Sequence, residues 1–223
     1  MQAVAGARPD GHTLLLMSNS NALSVGLFRK LPYDTLKDFA PITTLGFFDI
    51  GLFVAANSRF ASLREVVAFA KANPGRLNIG TISVGSTQHL AAKLFETVAG
   101  IDALVVPYKG SPAVLTALRA GEIDLAFEIV APMAPQVAAG AARALAVSSS
   151  QASPALPGVP TVLGSGIAGY DVASWNALAA PAKTPPAVIE RLNATANEAL
   201  KTAAVRDKLL VLSGLTHDKA RPN

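Results

Sequence analysis

Residues 83–87 read Ser83, Val84, Gly85, Ser86, Thr87, small and hydroxyl side chains lying between an apolar run and a helical pattern. A turn of this kind leads into a helix N-terminus, whose unpaired N–H groups and positive dipole end bind anions. In open α/β sheets ligands sit outside the carboxyl ends of the strands. The chemistry on offer is capture of a carboxylate by Ser83, Gly85, Ser86, Thr87 and backbone N–H groups. The plainer reading is an N-cap, which Ser86 makes unaided. Ser18, Asn19, Ser20 and Asn21 repeat the layout after the apolar run 13–17, either facing the same cleft or simply meeting water. Lys109 follows another apolar run and is either an anion attractor or a solvated side chain. Glu128 ends a third, where a carboxylate accepts a hydrogen bond from a ligand amine or water, or caps a loop. Trp175, the single tryptophan, lies between Ser174 and Asn176 as core or as a pocket wall. His89, one turn inside the helix after Thr87, is favoured as a structural imidazole.

Other chemistries find no pattern. His12, His89 and His217 lack metal-ligand spacing, so no metal is expected. No GxSxG elbow or phosphate-cradling GxxxxGK[ST] loop occurs, and no cofactor or catalytic set is expected. With no cysteine, disulfides and thiol nucleophiles are excluded. The 19 Lys+Arg against 15 Asp+Glu give a formal charge of +4, with the basic residues scattered singly; nucleic acid is not an expected partner. Charged residues are only 15% and apolar ones 51% of the 223, which excludes a disordered chain. No apolar run approaches the roughly 18 residues of a membrane span. The start, MQAVAGARPDGHTLLL, has no basic segment followed by an apolar one, so no signal peptide is visible.

The elements that must position these residues alternate. Strands are expected near 13–17, 42–45, 50–55, 77–80, 104–107, 123–127, 144–148 and 173–179. Helices are expected near 62–72, 88–99, 112–120, 132–139, 185–202 and 204–212, the last ended by Gly214. Ser62 and Glu65 have capping-box spacing, and Gly100 closes the helix after Thr87. The alternation argues an α/β fold with mostly parallel sheet.

Several motifs together resemble one family. They are PDGHTLLL (9–16), LPYDTLKDFAPIT (31–43), NPGRLNIGT (73–81), GSTQHLAAKLF (85–95), VPYKGSPAVLTALRAGEIDLAF (106–127), LPGVPTV (156–162) and W-x-x-L-x-A-P-x-x-T-P (175–185). In this order and spacing they resemble the Bug/TctC extracytoplasmic solute receptors, the substrate-binding proteins of tripartite tricarboxylate transporters. The resemblance runs nearly to Gly214.

The resemblance implies an α/β fold of the type II periplasmic binding protein kind, with two domains around a hinged cleft. It places one domain at 1–56 and 178–223 and the other at 57–177, with hinges near 54–57 and 175–178. It implies capture of a small organic carboxylate by Ser18 to Asn21, the turn 83–87 and the strand end at Glu128, with Trp175 beside them. Membrane transporter subunits are the implied partners, the periplasm the implied location, and a monomer the implied state. Against the family pattern the chain is expected to lack a first strand and Gly-rich loop, leaving domain 1 incomplete, and its end HDKARPN departs from the family. Glu128 stands where the family usually has Asp. The alternatives are a ligand-sensing regulatory domain, which needs a helix-turn-helix segment, and an α/β enzyme acting on a carboxylate, which needs an acid, base or nucleophile set.

Overall fold

A computed structural model describes residues 1–213. Gly214, His217 and the tail to residue 223 lie outside the described residues. The chain divides into two compact units, Met1–Phe47 with Ser174–Val211, and Phe48–Ala173.

The first unit holds α1 (Gln2–Ala5), β1 (Leu15–Ser18), α2 (Asn19–Leu27) and the start of β2 (Phe39–Ala55). The second holds the rest of β2, α3 (Leu63–Ala72), β3 (Leu77–Ile82), α4 (Thr87–Ala99), β4 (Ala103–Tyr108), α5 (Ser111–Ala120), β5 (Leu125–Ile129), α6 (Val130–Ala138) and β6 (Ala142–Val147). The strand β7 (Ala173–Pro181) then returns the chain to the first unit, which continues into α7 (Pro186–Lys201) and α8 (Ala203–Ser213).

Local sequence explains many of these boundaries. Ser62 caps α3 by accepting the Glu65 N–H at 3.3 Å, while the Glu65 carboxylate accepts the Ala61 N–H at 2.8 Å. This reciprocal arrangement satisfies two N–H groups the helix cannot. Gly100 ends α4 at φ 62°, a left-handed conformation that glycine enters at little cost.

Two expectations change. The runs 42–45 and 50–55 form one strand, β2, of 17 residues. No proline or left-handed glycine interrupts residues 46–49, so the chain has no local reason to turn there. The sheet is also mixed rather than mostly parallel. β3 runs parallel to β4 and β5, whereas β2 runs antiparallel to β5 and β6, and β1 antiparallel to β7. The β3–α4–β4 connection is a crossover between parallel neighbours, while β4–α5–β5 and β5–α6–β6 are crossovers between parallel strands separated by one other strand, β3 in the first case and β2 in the second.

In the second unit both sheet faces are covered. One buries Leu52, Leu77, Ile79, Leu125 and Phe127 with α3, α4 and Tyr170; the other buries Phe53, Ala126 and Ile123 with α5 and α6. Adjacent residues such as Leu52 and Phe53 enter opposite cores, as a strand's period of two requires. That double burial is why these strands read as unbroken apolar runs. Phe95 of α4 is fully buried, its ring 5.6 Å from Phe127 and 5.9 Å, edge to face, from Tyr170. The Tyr170 hydroxyl donates to the Ala91 carbonyl at 2.9 Å. Replacing Phe95 by Ala removes both ring contacts and leaves a cavity. Urea denaturation is expected to show a loss of about 3–5 kcal/mol; a loss below about 1 kcal/mol would contradict this packing.

Candidate functional site

Parallel pairing brings the carboxyl ends of β3, β4 and β5 to one edge of the second unit. At the β3 end, the Ser83 N–H donates to the Tyr108 carbonyl at 3.1 Å, tying this turn to the end of β4. Gly85 turns at φ 80°, and Ser86 follows as the N-cap of α4. The Ser86 hydroxyl donates to the Ile82 carbonyl at 3.0 Å and accepts the His89 N–H at 3.1 Å. That oxygen is therefore occupied in capping. Ser83 is exposed, Gly85 half-buried, and Thr87 and Gln88 are buried in the first turn.

At the β4 end, Gly110 caps α5 at φ 101°, a conformation that side chains resist. Ser111 then opens the helix and Pro112 fits its first turn. The Ser111 hydroxyl donates to Glu128 Oε2 at 2.9 Å, joining the start of α5 to the end of β5.

Glu128 is the unusual group. It is 1% exposed, and no ion pair reaches it among the described residues. Oε2 also accepts the Ile129 N–H at 3.3 Å, while Oε1 is buried without a hydrogen-bond partner. Burial pushes its pKa above the usual carboxylate range; the Ser111 hydroxyl, the Ile129 N–H and the Gln88 side chain pull the other way with less effect.

His89 belongs to a separate contact, with Nδ1 3.3 Å from Oγ1 of the fully buried Thr81. Burial and then the Lys93 charge lower its pKa, against a smaller opposing pull from Glu96, so the environment disfavours the charged ring. Lys109 is exposed. Among the described residues no three His, Cys, Asp or Glu side chains come together as metal ligands.

The remaining expected residues lie in the first unit, and they are not a loop. Ser18 is the N-cap of α2, and Asn19, Ser20 and Asn21 form its first turn. Asn21 Oδ1 accepts the Ser18 N–H at 2.8 Å and the Ser18 hydroxyl at 3.1 Å, closing a capping box. Asn19 Oδ1 accepts the Trp175 N–H at 3.1 Å, bringing α2 and β7 together. Short polar residues serve caps and turns equally well, so the run 18–21 reads as a turn in sequence and forms a helix start in the structure.

Sequence reasoning missed Ser111 and Gln88. The Gly110-Ser111-Pro112 run carried the signal, since Pro in a first turn places the preceding residues at the helix entrance. Gln88 carried no signal beyond its place beside Thr87.

The arrangement can bind an anion through helix N–H groups and hydroxyls. Proteins of known structure sharply narrow its class. MatC from Rhodopseudomonas palustris with bound malate has a TM-score of 0.83 at 30% identity, covering 95% of this chain and 72% of that one. An R. palustris protein with adipate has a TM-score of 0.82 at 31% identity, covering 93% and 70%. The periplasmic binding protein BugD matches at 0.82 and 25% identity, covering 95% and 71%. The fold is that of the periplasmic binding proteins. Residues 1–216 match the model of the tripartite tricarboxylate transporter family receptor, and the chain belongs to that family. Its relatives include BugT of Bordetella pertussis, 35% identical over 207 residues, covering 91% of this chain and 63% of BugT. A protein from Pseudomonas sp. strain P51 is also 35% identical over 207 residues, covering 92% of this chain and 62% of its own length. The chain thus spans about three-fifths of the length of those relatives. Among the described residues no helix is long and apolar enough to cross a membrane.

A buried carboxyl without a cation makes stability depend on pH in a definite direction. The folded chain holds the Glu128 proton more tightly than the unfolded chain does. The resulting stability is fully present below the unfolded pKa and is lost as pH rises through the folded pKa. Glu128→Gln removes this dependence. Urea denaturation of both proteins across that window is expected to show the variant gaining on the parent by about 1.4 kcal/mol per unit of pKa difference. Parallel curves would refute the burial effect.

Proposed function

We propose that this chain is a solute receptor that captures a small organic carboxylate. The observation that carries the reading is the gathering of two helix N-termini, α4 and α5, with the hydroxyls of Ser83 and Ser111 at the carboxyl edge of β3, β4 and β5. A carboxylate needs several oriented N–H and O–H donors, and helix starts supply them with a favourable dipole. Membership of the receptor family supports the same ligand class, as do the malate and adipate of two structural relatives.

Capture is by hinge closure of the two units through β2 and β7, the strands that join them, the closed state being favoured only by the ligand's stronger interaction with it. Ser18, Asn19, Ser20, Asn21 and Trp175 are assigned to the same ligand. Binding occurs without turnover, in the periplasm, and a monomeric receptor delivers the ligand to the membrane subunits of a tripartite transporter.

A thermal-shift screen against mono-, di- and tricarboxylates, with neutral sugars and amines as controls, tests this. At a ligand concentration of about 100 times Kd, binding adds about 2.7 kcal/mol of stability. For a chain of this size the melting temperature is expected to rise by roughly 5–10 °C. A shift with a sugar or amine and none with any carboxylate overturns the reading, and so does consumption of the bound carboxylate.

A further inference from the structure

A carboxylate seated at the first turns of α4 and α5 has a second carboxyl as its neighbour. Ser111, the first residue of α5, hydrogen-bonds Glu128 directly, and Gln88 in the first turn of α4 also attracts it. We propose that the chain binds its carboxylate together with a proton, which Glu128 takes up. This rests on the carboxylate-binding reading above.

The surroundings leave Glu128 no other way to answer an incoming negative charge. Its partners are a hydroxyl, a backbone N–H and an amide, all neutral. The charged groups on neighbouring elements are engaged elsewhere or exposed. On α4, His89 meets Thr81, and Lys93 pairs with Glu96. On α5, Arg119 donates to Gln136. On β6, Arg143 donates to the carbonyls of Ser58 and Phe60. Lys109 and Glu122, at the two ends of α5, are exposed. Strand β2 contributes another buried acid, Asp49, rather than a cation. Strand β3 and helix α6 carry no charged residue.

The ionised form of Glu128 has a further weakness. An ionised carboxylate has two acceptor oxygens, and here Oε1 has no donor. The positive ends of α4 and α5 are the field that favours ionisation. A bound anion claims those donors and adds like-charge repulsion, and both effects favour the neutral acid. Binding and protonation then become linked, and affinity falls by up to tenfold per pH unit between the Glu128 pKa values of the empty and occupied chain.

Calorimetric titration with adipate and with malate, at slightly alkaline pH where both are fully ionised, reads the linkage. Repeating it in buffers of different protonation enthalpy gives the number of protons taken up. The expected result is uptake approaching one proton by the parent chain and none by Glu128→Gln. Heat independent of buffer in the parent, or equal uptake by the variant, overturns the proposal. Carbon-13 NMR of the parent's glutamate carboxyls makes the test independent of whether the variant folds. The Glu128 titration midpoint must rise when adipate or malate binds, and an unmoved midpoint overturns the proposal. Binding without proton uptake leaves the receptor reading intact, whereas failure of every carboxylate to bind overturns both.

Discussion

Neighbouring strands that run the same way must each be returned by a crossover, and in this chain the crossovers of β3, β4 and β5 are the helices α4 and α5. Each such helix starts beside the carboxyl end of the strand before it. The helix starts therefore collect along one edge, with N–H groups that have no partner inside their own helix. The turns follow from this. Ser86 satisfies the His89 N–H, and Gly110 adopts a positive-φ conformation at the start of α5, which begins without a side-chain cap. The apolar strands follow too, because helices on both faces bury them on both sides. Topology thus creates the anion-binding potential before any particular side chain refines it.

What was legible in the sequence is what depends on local pattern. Ser62 with Glu65, Gly100 after α4, and the apolar residues 125–127 carry their conformations in their own types and spacing. Strand direction does not depend on local pattern. Nothing in the run 50–55 reveals that it will meet β5 and β6 antiparallel, since an apolar strand reads the same in either direction. The start of α2 was hidden for another reason. Ser, Asn, Ser and Asn make turns and caps with the same hydrogen bonds, and only the Asn21 to Ser18 closure distinguishes the two. In the site, the hydroxyl turn after β3 was visible, whereas the Ser111 to Glu128 bond joins residues 17 apart through the fold.

Glu128 shows how a site can be shaped by an unfavourable group. Moving a carboxylate out of water without a cation carries a large penalty unless the charge is removed or its oxygens are satisfied. Here Ser111 and Ile129 satisfy one oxygen and leave the other bare. An Arg or Lys opposite Glu128 would settle that charge permanently, and it would also place a fixed cation beside the ligand. The chain instead surrounds Glu128 with neutral donors, so its charge remains adjustable.

Neutral donors also suit the proposed capture and release of a ligand. A desolvated ion pair is costly to assemble and costly to break when one partner leaves, because the other charge is stranded in a poor dielectric. Helix N–H groups and hydroxyls are different. They are fixed by the fold, and they return to water on release with only a modest loss per bond. His89 has its pKa lowered by burial and by Lys93, away from the charged form, and it meets a threonine. The edge therefore attracts negative charge through backbone dipoles that cannot be titrated away, while its one adjustable charge is a buried acid of the same sign as the ligand. Under the proposed linkage, that combination makes occupancy answer to the proton as well as to the carboxylate.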